Sequence, residues 1–162
     1  AAAAAAAARP PGAAHHLEGV RAHAHDEALH HLSAAVRLLP AFMEASCLQG
    51  SLLHDESRLA ESEAALRAAL RHSLGPADPR LYYAYRGLGA TLRAAARPEE
   101  ALLAYGPALS SYNPRDVGLA MEVAATAAAA GQPGVQEQVL RHVLRLQPAH
   151  GDAASALAGL LA

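Results

Sequence analysis

The chain has one cysteine, one phenylalanine and one asparagine, and no lysine, isoleucine or tryptophan. Cys47 alone cannot close an internal disulfide or supply a multi-cysteine metal site, so nothing in the cysteine usage points to an oxidising compartment. Its 13 arginines against 15 acidic residues leave a formal charge of -2, without the basic footprint of a nucleic-acid binder and without an acidic tail. Long apolar runs are also missing: none approaches a bilayer span, and the start has no charged segment followed by a Leu-rich or Val-rich one. The expectation is a soluble, cytoplasmic protein with no nucleic-acid partner and no membrane insertion. Its 162 residues are one domain's length, enough to bury a core.

The missing amino acids share a feature. Lys, Ile, Asn and Phe use AT-rich codons, whereas the abundant Ala, Arg, Gly, Pro and His tolerate GC-rich ones. A GC-rich coding sequence accounts for this skew, which discounts the ten histidines and the many alanines as chemical signals. Ala1–Ala8 carries no pattern. With Arg9, Pro10, Pro11 and Gly12, which break a helix, it makes residues 1–12 a low-complexity or unassigned lead, and residues 13–162 the folded domain.

What is present is a repeat. Between Tyr85 and Pro114, small and large apolar residues alternate as two antiparallel packed helices require: Tyr85, Leu88, Gly89, Leu92, Ala96, Ala101, Tyr105, Ala108, Leu109. The same pattern recurs along the chain. A large residue in the middle of each second helix falls at Leu32, Leu66, Tyr105 and Leu140, at intervals of 34, 39 and 35. A small or branched one follows at Ala35, Ala69, Ala108 and Val143, and each unit closes near Pro40, Pro76, Pro114 or Pro148. In the first helices, Gly50, Gly89, Ala124 and Ala158 take the close-packing position. Tight turns are expected at His23, Ser57, Ala96 and Gly131. Nine helices follow: 13–22, 26–38, 43–54, 58–73, 80–95, 98–111, 115–130, 134–146 and 151–161. The longer second interval is assigned to the loop Ser73–Pro79, where extra length costs little.

These positions resemble the tetratricopeptide repeat, most clearly through Leu88-Gly89, Arg97-Pro98-Glu99-Glu100-Ala101, Tyr105, Ala108 and Pro114. Departures occur at His15 and His16 in place of Leu-Gly, at Ser62 in place of Ala, and at Gln136 where a small residue is usual. The resemblance implies an all-α, right-handed α-solenoid of about four helix-turn-helix units plus a C-terminal helix. It also implies a concave groove lined by fixed places of each first helix. These are Glu44, Cys47, Ser51 and His54; Tyr83, Arg86, Ala90 and Arg93; and Gly118, Met121, Ala125 and Ala128. Arg86, Arg93 and Tyr83 share one helix face, where guanidinium groups and a ring can hold an acidic or carboxyl-terminal peptide. The lysine and asparagine clamp of chaperone-binding members is missing, since lysine is absent and Asn113 lies in a loop.

Other chemistry is sparse. His15, His16, His23, His25, His30 and His31 cluster in sequence, with Asp26 and His30, and Glu27 and His31, one helical turn apart. Without an HExxH or paired CxxC pattern, the cluster reads as a solvated surface rather than a metal site. No phosphate loop or nucleophile elbow occurs, and Glu99-Glu100 suits a helix first turn. The alanines from Ala120 to Ala130 leave one helix smooth enough for close approach by a neighbour. The sequence therefore points to a noncatalytic scaffold or adaptor without cofactor or metal, binding protein or peptide segments within a larger assembly. Its expected partner-binding residues are Tyr83, Arg86, Arg93, Glu44, Ser51, His54 and Met121. The alternative is the substrate-recruiting repeat region of a larger enzyme such as a glycosyltransferase or hydroxylase.

Overall fold

A computed structural model describes residues 11–73 and 75–161, with side chains described from His23 onward. The Ala1–Ala8 run, Arg9, Pro10 and the side chains of His15 and His16 lie outside the described residues. Among the described residues there are eight α-helices and no strand: α1 (Pro11–Leu38), α2 (Met43–Asp55), α3 (Leu59–Arg71), α4 (Leu81–Ala94), α5 (Pro98–Pro107), α6 (Val117–Ala129), α7 (Pro133–Leu146) and α8 (Gly151–Leu161). Helices α2 and α3, α4 and α5, and α6 and α7 pack as pairs, and each pair also packs on the next.

One chemical device ends the first helix of every pair. Ser57, Ala96 and Gly131 adopt φ of 60°, 57° and 64°. The next amides reach back five residues: Arg58 N–H to Leu53 C=O at 2.8 Å, Arg97 to Leu92 at 3.0 Å, and Gln132 to Ala127 at 2.9 Å. This is the Schellman C-cap, in which a left-handed residue lets the chain turn back while satisfying orphan carbonyls. Glycine does this without Cβ strain; Ala96 does not. Ala96→Gly is therefore expected to raise stability by about 0.5–1 kcal/mol, the relief of that strain less glycine's greater freedom in the unfolded chain. Urea unfolding checks the sign.

The turn expected at His23 is absent. α1 runs unbroken from Pro11 to Leu38, so the two helices read there are one. Pro11 and Gly12 occupy its first turn instead of preceding it, as a proline at a helix start can. Between Val20 and Leu38 there is neither glycine nor proline, so nothing forces a left-handed residue. The helix stops only before Pro40, whose ring disfavours helical backbone at Leu39.

The loop between α3 and α4 takes up the long interval, as expected. Arg80 holds it by donating from Nε and Nη2 to the two Asp78 oxygens at 2.8 Å each, and from Nη1 to Glu44 Oε1 on α2 at 2.7 Å. At the other end of this unit, α5 does not run to residue 111. Pro107 lacks an N–H and crowds the preceding turn, and the backbone widens directly after it into a π-helical turn, Ala108–Tyr112. Tyr112 then stacks on Tyr85 with ring centroids 6.0 Å apart, and its hydroxyl donates to Pro76 C=O at 2.8 Å.

The core follows the repeat. Leu66, Tyr105 and Leu140 are each no more than 1% exposed, and Ala69, Ala108 and Val143 are fully buried. They face Gly50, Gly89 and Ala124 on the partner helices. A Cβ at Gly50 stands 2.5 Å from Leu66 Cγ, and one at Gly89 stands 2.5 Å from Tyr105 Cδ1. Ala158 is exposed, and among the described residues no second helix covers α8.

Candidate functional site

The predicted inner-face residues of α2 and α4 meet in one hollow of about 290 Å³. Cys47, Ser51 and His54 line it from α2, Tyr83, Arg86 and Ala90 from α4, and Glu122 from α6. Leu66 lies directly beneath it between Gly50 and Gly87, where the missing side chains bring the groove close to a buried core leucine. Asp55 and Thr91 complete the wall at the C-terminal end of α2.

Four expected residues, Ser51, His54, Tyr83 and Arg86, are thus gathered. The others lie apart. Glu44 is committed to Arg80, whose hydrogen bond lowers the Glu44 pKa. Met121 is half-buried against the α6–α8 core. Arg93 is exposed outside the hollow, and its charge near the Tyr105 hydroxyl works against the rise of that phenol's pKa. Gly118, Ala125 and Ala128 are exposed along α6.

The two arginines differ in their neighbours. Arg86 Nη2 donates to Glu122 Oε1 at 2.9 Å, and Nη1 donates to the Tyr82 hydroxyl at 3.3 Å and stands 3.9 Å from Asp116. Burial is the largest influence and works against its charge, but the Glu122 bond, the charge of Glu122 and the Tyr82 hydroxyl together outweigh it and the pKa rises overall. Tyr105 donates to the second Glu122 oxygen at 3.2 Å, and burial pushes its phenol up to about 12. Asp116 accepts from Tyr82 and from the Leu119 N–H, capping α6. Burial opposes its ionisation, yet these two bonds bring its pKa below the ordinary value. Arg93 has no carboxylate partner among the described residues.

Ser62, a departure from the repeat pattern, supports the hollow from beneath. Its hydroxyl donates to Gly50 C=O at 2.7 Å and lies 2.9 Å from Thr91 Oγ1. Thr91 donates to Gly87 C=O at 2.9 Å and lies 3.3 Å from His54 Nδ1. Both hydroxyls are buried, so two units are joined by a dry polar contact that also orients the imidazole. In the sequence, the only trace was the serine in an alanine's place. Burial raises the Cys47 thiol to about 11, helped by Glu44, so it is protonated and a poor nucleophile at neutral pH.

The histidines whose side chains are described lie in separate contacts. His23 pairs with Glu27 at 3.5 Å, His25 lies 3.8 Å from Glu56, and His30 and His31 meet edge to face. Among the described residues no three potential ligands converge. No helix among them is long and apolar enough to cross a membrane.

No family model and no curated protein matches the sequence. Solved structures do match. The crystal structure of YrrB, described as a TPR protein with an unusual peptide-binding site, aligns at TM-score 0.72 and 18% identity over 87% of this chain and 70% of that one. The crystal structure of MamA aligns at 0.73 and 14%, over 84% and 76%. The structure of the APC/C hetero-tetramer Cut9-Hcn1 aligns at 0.67 and 16%, over 81% of this chain but only 26% of that one. With the capped helix pairs and the glycine-mediated packing, these likenesses establish that the chain has the tetratricopeptide-repeat fold.

Proposed function

We propose that the chain is a noncatalytic interaction scaffold that binds a peptide or helical segment of a partner along the inner face of α2, α4 and α6, as part of a larger assembly. The observation that carries this reading is the hollow over Leu66, where side chains of three successive first helices converge. Ser51 and Tyr83 are exposed there, and Arg93, which has no carboxylate partner among the described residues, lies further along α4. Arg93 suits an acidic side chain or carboxyl terminus, whereas Arg86 serves chiefly to fix Glu122. The TPR likeness adds support as analogy alone, because one fold carries many partners. Glu44 and Met121 remain on the proposed surface as its edges.

Ser51→Trp fills the mouth of the hollow from an exposed position, and Arg93→Glu reverses the unpaired charge. Ser51→Trp removes no core contact and Arg93→Glu gives up only an exposed side chain's interaction with the Tyr105 hydroxyl, so thermal unfolding should change little. In affinity capture from the native source, both variants are expected to lose the main partner by about tenfold, the loss of one good interface contact. If both retain every partner at wild-type yield, the groove is not the binding surface.

A further inference from the structure

We propose that the hollow between α2 and α4 receives a basic side chain, lysine or arginine, of the partner segment; this rests on the groove reading above and specifies its chemistry. Arg86 is the one arginine in the wall, and it is spent internally on Glu122, whose other oxygen accepts from Tyr105. Asp55 lines the same hollow and has no hydrogen bond or ion pair among the described residues. It is the last residue of α2, where the free carbonyl ends of the helix also favour a cation.

Counting protons adds a second acceptor. Ser62 and Thr91 hold one hydroxyl proton each, but four short contacts surround them: to Gly50 C=O, between the two hydroxyls, to Gly87 C=O and to His54 Nδ1. Two protons fill two contacts. An N–H at His54 Nδ1 fills a third and leaves one contact without a proton instead of two. In that tautomer Nε2 carries the free lone pair, and it has no partner among the described residues. The hollow therefore offers an uncompensated carboxylate and an imidazole acceptor.

The rest of the wall suits the same guest. Tyr83 is 67% exposed, and its ring can lie against a cation. Gly50, Gly87 and Ala90, with Leu66 directly beneath, give the methylene stem of a long side chain an apolar bed. An acidic guest would face Asp55 across the same space.

The test is selection of random peptides displayed on phage against the whole chain, followed by titration calorimetry of synthetic copies against wild type, Ser51→Trp, Asp55→Asn and Asp55→Lys. The expected result is a recurring Lys or Arg, at least about tenfold weaker binding when it is replaced by glutamine, and a similar loss with Asp55→Asn. Asp55→Lys should select acidic residues at that place instead. Peptides that Ser51→Trp blocks, but that carry an acidic or apolar residue there or ignore Asp55→Asn, overturn this assignment and leave the groove reading standing. Recovery of no peptide, or only of peptides indifferent to Ser51→Trp, overturns both.

Discussion

Gly89→Val is expected to destabilise the chain by about 3 kcal/mol, at the upper end of the ordinary cost of overpacking a core. A Cβ at Gly89 lies 2.5, 2.6 and 2.7 Å from three ring carbons of Tyr105. The ring cannot retreat, because Tyr105 is fully buried and its hydroxyl is tied to Glu122. Either α4 and α5 move apart or the ring leaves its place, and both disturb the contact with Leu88, Leu92 and Val123. Gly89→Ala sets this clash against the helix-favouring effect of alanine, worth about 1 kcal/mol, and is expected to remain destabilising. Gly159→Ala is the control, since Gly159 is exposed on α8, is not followed by proline, and meets no side chain beyond its chain neighbours within 4 Å of its Cβ position. It should stabilise by up to roughly 0.5–1 kcal/mol through propensity alone. Guanidinium unfolding of the three variants decides the matter: if Gly89→Ala and Gly159→Ala shift stability in the same direction, close packing at Gly89 is wrong.

That contrast shows what was legible before any coordinates. Gly50, Gly89 and Ala124 recur at a fixed place because two helix axes cannot approach over a Leu or Tyr unless the facing residue is small. The turns at Ser57, Ala96 and Gly131 were found by register, not by residue type, since neither serine nor alanine announces a left-handed backbone. Register alone misled at His23, where no partner pairing or glycine enforces a turn and α1 continues. Pro107 was read through as helix, because a proline near a helix end can be absorbed, and a π-helical turn follows it.

The proposed binding face divides in the same way. Periodicity put Ser51, His54, Tyr83 and Arg86 on one surface, because residues at such intervals share a helix face. It could not assign their charges. The Arg86 and Glu122 pair spans 36 residues and depends on how α4 and α6 dock, which no local pattern encodes. Ser62 looked like a weak match to the repeat, yet it is the buried hydroxyl that joins Gly50 to Thr91 beneath the hollow. A polar residue at a core position is therefore worth reading as half of a pair before it is read as a defect.

Leu66→Ala should be the most informative cavity substitution, with an expected loss of about 3–4 kcal/mol, the range for a fully buried leucine whose site cannot collapse. Leu66 is 1% exposed and lies at a joint: its side chain meets Gly50 on α2 and Gly87 on α4, and it shares the core of α4, α5 and α6. Glycines on two sides leave no side chain there to swing into the space. Stability in a stacked-repeat protein is close to a sum of unit and neighbour terms, so the loss should fall mainly on the coupling between the α2–α3 pair and α4. Native-state hydrogen exchange is then expected to speed up in α2 and α3 while α6 and α7 keep their protection. Leu140→Ala, at the equivalent place among α6, α7 and α8, should reverse that pattern. Uniform acceleration in both variants would mean that the array unfolds as one unit. A cost for Leu66→Ala below about 1 kcal/mol would mean that the leucine does not fill the joint, and the floor of the hollow would have to be sought elsewhere.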